Sequence, residues 1–222
     1  MQILGQPTVV AKGERTKEGK PKGVALELRT LRHQTGDKPE SVTPYAHRPN
    51  CDGIVAAVVE KQTNEGDKLL FLGNNRPALT ETNENGKVIE LVAGKVGDEG
   101  QEDFATAAKR EVMEEAGYSD EQIKAVHAYN AFGRNNASSS GLTSEGTDFY
   151  KVQVEGDRGA NITDGGTIDN HFEVGANLQD IVSFLSNKAQ EGYNISKQAL
   201  TGLFMWVADN AAKGTLKLNP EA

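Results

Sequence analysis

The 222-residue sequence predicts a mixed α/β fold preceded by a small β subdomain, and three observations carry that expectation. Two short runs, "IVAAVVE" and "KLLFLG", have the length and unbroken apolarity of strands covered on both faces. Later stretches instead repeat their apolar residues at helical spacing. The first fifty residues read as short strands and turns, without a helical stretch.

Taken in chain order, "GVALELRTL" alternates Val24, Leu26 and Leu28 with Ala25, Glu27 and Arg29, which predicts a strand with one apolar face. "HRPNCDG" gathers turn residues and marks a boundary, giving an N-terminal β subdomain over residues 1–48 and a larger domain over 49–222. The strands "IVAAVVE" and "KLLFLG" are joined by "KQTNEGD", a hairpin-like loop. "KVIELVAG" predicts a further strand, "EDFATAAKREVMEEAG" a helix, "TDFYKVQVE" a strand, and "GDRGANITDGG" a Gly-rich loop. "NLQDIVSFLSNKAQEG" then places Leu178, Ile181, Val182 and Leu185 at helical spacing. The last helix starts at a Ser196 cap and stops near Gly214, with Leu203, Phe204 and Trp206 expected in the core.

Composition excludes several function classes. The formal net charge is −8, and no Lys/Arg stripe is present to follow a phosphate backbone, so no nucleic-acid partner is expected. Residues 1–50 hold nine Lys and Arg against five Asp and Glu, so they carry +4 and the remainder −12. The two parts are therefore matched to attract each other or a partner subunit. No apolar run approaches the ~20 residues of a membrane span and the N-terminus lacks a secretion signal, which predicts a cytoplasmic protein without membrane contact. The single cysteine, Cys51, suits a reducing compartment and receives no role. His33, His47, His127 and His171 share no zinc-site spacing and are expected to be structural or at the surface.

The most informative stretch is "REVMEEAGY", which puts Glu111, Glu114 and Glu115 within five residues. On a helix these carboxylates share one face, with Cβ atoms about 5–6 Å apart, and repel one another. Phe104, Ala108, Val112 and Ala116 form an apolar stripe on the other side. Such a helix packs on one face and presents acid on the other, and taken alone that acid reads as a solvated face.

In its surroundings the stretch reads "AGKVGDEGQEDFATAAKREVMEEAGY", which resembles the Nudix box. Glu102, Arg110, Glu111, Val112, Glu114, Glu115, Gly117 and Tyr118 fall in register, while seven residues rather than five separate Gly94 from Glu102. A loop absorbs that insertion cheaply, because closure entropy grows slowly with length. The resemblance covers roughly residues 50–210 and implies the Nudix fold, a mixed β-sheet sandwiched between α-helices. It also implies hydrolysis of a nucleoside diphosphate linked to another moiety, with Mg²⁺ as cofactor and Mn²⁺ as the alternative. Glu102, Glu111, Glu114 and Glu115 would hold the metal, with Arg110 orienting a box glutamate and Gly117 ending the helix.

Outside the box, "NNRPAL" and "SSSGLTSEG" are similar to the ADP-ribose pyrophosphatase branch. That resemblance assigns substrate contact to Arg76, places Glu90 near the site among the substrate-binding residues, gives the Ala93 carbonyl to the metal and makes Glu145 the catalytic acid–base group, with Glu114 and Glu90 next in line. The β-rich N-terminal piece in that branch often builds a homodimer, and Tyr45 is the aromatic that would stack on a base from it. ADP-ribose would give AMP and ribose 5-phosphate. Two other readings stand beside this one: a Nudix hydrolase of a dinucleotide or oxidised nucleotide, and a non-catalytic nucleotide-sugar sensor on the same fold.

Overall fold

The computed structural model describes residues 2–4, 6–12, 27–34, 39–47, 53–76, 86–97, 101–129, 136–137, 146–159 and 168–218. Cys51, Glu145 and most of "SSSGLTSEG" lie outside the described residues.

The N-terminal residues form an antiparallel sheet of β1 (Gln2–Ile3), β2 (Thr8–Lys12), β3 (Glu27–Gln34) and β4 (Ser41–His47). Strand β3 is the hub and pairs with all three others. The strand predicted around Leu28 is present, but its described part faces the opposite way from expectation: Glu27 is 6 % exposed and Leu28 46 %. Side chains two apart share a face of a strand, so Arg29 reaches back to Glu27 with Nε and Nη2 on one carboxylate oxygen at 3.0 and 2.7 Å. That charge-assisted pair is what lets an acid occupy the covered face.

Among the described residues the larger sheet has nine strands: β5 (Gly53–Gln62), β6 (Lys68–Asn75), β7 (Lys87–Glu90), β8 (Val92–Val96), β9 (Ile123–Ala128), β10 (Asn136–Ala137), β11 (Gly146–Glu155), β12 (Ile168–Gly175) and β13 (Asn194–Ile195). The parallel partner of β5 is β11, and its other edge is divided between β8 along the first half and β6 along the second, both antiparallel. The β5–β6 hairpin closes as foreseen through Thr63, whose hydroxyl donates to the Gly66 carbonyl at 2.6 Å.

Both faces of this sheet are covered. Val55, Ala57, Val59, Leu70, Leu72 and Val92 pack on helix α1 (Phe104–Ala116). The intervening residues Ala56, Val58, Phe71, Ile89 and Leu91 pack toward α2 (Leu178–Gln190) and α3 (Lys197–Lys213). This two-sided burial explains why β5 and β6 read as continuous apolar runs, and it matches the expected sandwich. Helix α1 presents Ala108, Val112 and Ala116 to the core at 0 % exposure, with Phe104 partly buried against the same cluster.

Some expectations need correction. "KVIELVAG" is two strands: Glu90 pairs with Leu72 of β6, whereas Val92 pairs with Ala57 of β5, so the chain changes partner at Leu91. Phe204 is 60 % exposed, although Leu203 and Trp206 are buried. It shares an outer stripe with Leu200, four residues earlier and also exposed. Val182 likewise points outward while Ile181 is buried.

Candidate active site

Helix α1 is delimited by two local devices. The Asp103 carboxylate accepts the Thr106 N–H at 2.7 Å to open it, and Gly117 closes it in the left-handed conformation at φ 74°. These stops fix its ends, and the burial of Ala108, Val112 and Ala116 fixes which way its polar face points. That face lies against β8, the strand that carries Ala93 and Gly94, with Glu90 on the preceding strand β7.

Arg110 is the centre of the arrangement. Its Nη2 donates to Glu102 Oε1 and to the Lys95 carbonyl, both at 2.8 Å, and its Nε to Glu102 Oε2 at 3.2 Å. Nη1 donates to Glu111 Oε1 at 2.7 Å and to Glu114 Oε2 at 3.0 Å. Rather than orienting one glutamate, Arg110 gathers three, and the hydrogen bonds to Glu102 above all hold its proton more firmly than in an ordinary arginine. Glu102 also accepts the Gly97 N–H at 3.1 Å.

Glu111 is buried and its carboxylate rests directly on Gly94, where a Cβ would overlap it. One turn further along, Glu115 Oε2 accepts the Ala93 N–H at 3.0 Å. Burial pushes the Glu115 carboxyl up to about 8; the Ala93 bond opposes this and the charge of Glu111 adds to it. Arg76 and Glu90 act electrostatically on the same carboxyl, in opposite directions. They form their own pair, with Arg76 Nε and Nη2 donating to Glu90 Oε2 at 3.0 and 2.8 Å.

The structure therefore brings together Arg76, Glu90, Ala93, Glu102, Arg110, Glu111, Glu114 and Glu115. Tyr45 stands elsewhere, opposite Arg29 in the N-terminal sheet. His171, expected to be structural or at the surface, places its Nε2 2.7 Å from the Glu115 carbonyl oxygen, at the end of α1. One residue near the site has no place among the sequence expectations. Asn74 donates to Glu90 Oε2 at 2.6 Å. In the sequence Asn74 closes the apolar run "LLFLG" and opens "NNRPAL", where only Arg76 drew a role.

Among the described residues, no three His, Cys, Asp or Glu side chains stand ready-made around a metal position. Arg110 accounts for this, because its fork holds Glu102, Glu111 and Glu114 around itself. The donor chemistry still fits a hard divalent cation: the acids are close and partly buried, and desolvation pushes one of them up to about 8. A cation among these oxygens would reverse that rise.

Residues 53–190 match the family profile described as NUDIX domain. In fold the chain is similar to a solved ADP compounds hydrolase, at 13% identity over 96% of this chain and 98% of that one, with a TM-score of 0.56. It also aligns with a C. elegans Ap4A hydrolase in a binary complex, at 15% identity over 72% of this chain and 98% of that one, TM-score 0.45. A third is the NUDIX domain of Shewanella oneidensis NrtR in complex with ADP ribose, at 16% identity over 62% of this chain and 85% of that one, TM-score 0.39. At these identities the likeness is one of fold. No curated protein matches the chain in sequence. Among the described residues no helix is long and apolar enough to cross a membrane.

Proposed function

The chain belongs to the NUDIX family, and from that premise we propose that it hydrolyses the pyrophosphate bond of a nucleoside diphosphate linked to a second group, ADP-ribose or a related sugar nucleotide. The observation that carries the reading is the cluster around Arg110: four acids converge on one face of α1, and the cation among them bonds three. Such concentrated carboxylate destabilises the fold unless positive charge is supplied.

Nudix enzymes generally use divalent metal ions. In this proposal Glu111, Glu115 and the Ala93 carbonyl hold Mg²⁺, or Mn²⁺ in its place, with Glu114 and Glu102 completing the donor set. Bound there, the ion neutralises phosphate charge and acidifies a coordinated water. Arg110 keeps the glutamates in place, and Arg76 contacts a phosphate. Glu145 takes a proton from the attacking water, Glu114 standing next in line. Oxygen from water adds to one phosphorus, the bridging P–O bond breaks, and two monophosphates and a proton result. For ADP-ribose these are AMP and ribose 5-phosphate.

The +4 balance of residues 1–50 against −12 in the remainder supports a homodimer in which the N-terminal sheet of one protomer approaches the partner's site. Tyr45 is then the candidate to stack on the base. Incubation with a panel of ADP-sugars, dinucleotides and oxidised nucleotides, with and without Mg²⁺ and read by product identity, tests the reading. Efficient turnover of ADP-ribose supports it, and turnover confined to dinucleotides or oxidised nucleotides contradicts it.

A further inference from the structure

Asn74 lies on β6 on the same face as Leu70 and Leu72, two core residues packed toward α1, and is only 2 % exposed. An apolar residue would suit that position. Its amide oxygen finds no partner among the described residues, a cost an apolar residue would avoid. What the amide does make is one short bond, from Nδ2 to Glu90 Oε2 at 2.6 Å. That oxygen also receives Nε and Nη2 of Arg76, so three donors converge on it.

The consequence falls on Arg76. Its guanidinium is gripped along its Nε–Nη2 edge, while Nη1 makes no hydrogen bond to the described residues, and the side chain is 43 % exposed. A planar fork held by one edge offers the other for a second, two-point contact with an oxyanion. A free arginine on a strand end would lose much rotamer freedom in making that contact; one already clamped loses less.

We propose that Asn74 is a positioning residue for substrate recognition: by fixing Glu90 Oε2 it holds Arg76 with its Nη1 edge turned out to take a phosphate oxygen pair of a nucleoside diphosphate. The inference rests on the reading above that Arg76 contacts substrate. Asn74 itself touches no substrate atom. Its contribution is the orientation of Arg76, so it should appear in binding and be absent once Arg76 is gone.

A double-mutant cycle tests this with ADP-ribose as the probe. Dissociation constants are measured by calorimetry on the Mg²⁺-free protein, and KM and kcat with Mg²⁺ present. Asn74→Leu, of similar volume, and Asn74→Ala, both without the donor, should each weaken binding about tenfold and raise KM with kcat within about twofold, the pattern of lost uniform binding. In the Arg76→Ala background either change should alter the dissociation constant less than about twofold. Unchanged binding in both Asn74 variants, with Arg76→Ala still weakened, overturns the role of Asn74 alone. Unchanged binding in Arg76→Ala overturns the substrate contact on which the inference rests. Additive losses across the cycle also overturn it, because Asn74 would then act independently of Arg76.

Discussion

Gly94 and Glu111 meet with no room for a side chain between them: a Cβ on the glycine would overlap the carboxylate of the glutamate. The glycine at the start of the box is thus explained by the close approach of strand β8 to the buried acid of helix α1, and a strained backbone angle is not needed. Gly94→Ala should displace Glu111 from Arg110, lower turnover by about 10²-fold or more, and cost about 1–3 kcal/mol from overpacking. Turnover and thermal midpoint, measured together, check this. An alanine variant with full activity would contradict the assignment of Glu111.

Glu115 gives a pH dependence with a definite sign. Its carboxyl rises from the ordinary glutamate range to about 8 in the metal-free fold, chiefly through burial. Between about pH 4.5 and 8 the folded state therefore holds a proton that the unfolded state has released, and stability falls as pH rises through that window. In EDTA, Glu115→Gln should abolish that part of the decline, worth on the order of a few kcal/mol. It should also remove most Mg²⁺-induced stabilisation and reduce turnover to under about a tenth of the parent. Thermal unfolding from pH 5 to 9, with and without Mg²⁺, reads both effects.

Arg110 is expected to be structurally costly to lose. Arg110→Ala leaves Glu102, Glu111 and Glu114 without the cation they share, a change of about 3–5 kcal/mol for partly buried charges. Arg110→Lys should recover only part, because an ammonium cannot reproduce the planar fork. Unfolding free energies of the two variants check the order.

Glu145 lies outside the described residues, and its proposed role stands on chemistry. Glu145→Gln should lower kcat by roughly 10²-fold with little change in KM, the pattern of a group acting mainly in the transition state. Wild-type turnover in this variant would transfer the proton-accepting role to Glu114 or Glu90.

The homodimer proposal is checked by light scattering at micromolar concentration, where a dimeric mass is expected. A chain beginning at Gly53 should lose activity, because the first fifty residues would no longer reach the partner's site.

The site was legible where chemistry requires fixed spacing. The apolar stripe of α1 and the shared acidic face follow from the helical repeat, and the stop that the resemblance implies at Gly117 is where the structure ends the helix. Legibility failed where tertiary partners decide. Nothing local in "IELVA" announces that Leu91 is where the chain leaves β6 for β5. β12 was hidden because Asp169, Asn170 and His171 make it polar for a strand. The run "LFMWV" is apolar all round, so only packing reveals that Phe204 faces out while Leu203 and Trp206 face in. Asn74 could not have been singled out, since its meaning lies in Glu90, sixteen residues away.

The most direct measurement is phosphorus NMR of ADP-ribose incubated with the protein and Mg²⁺ in ¹⁸O-labelled water. The account predicts loss of the two diphosphate resonances, appearance of AMP and ribose 5-phosphate, ¹⁸O in one of the two monophosphates, and no reaction in EDTA or with Glu115→Gln. An intact diphosphate after prolonged incubation with Mg²⁺ or Mn²⁺, or cleavage that proceeds equally well in EDTA, would contradict it.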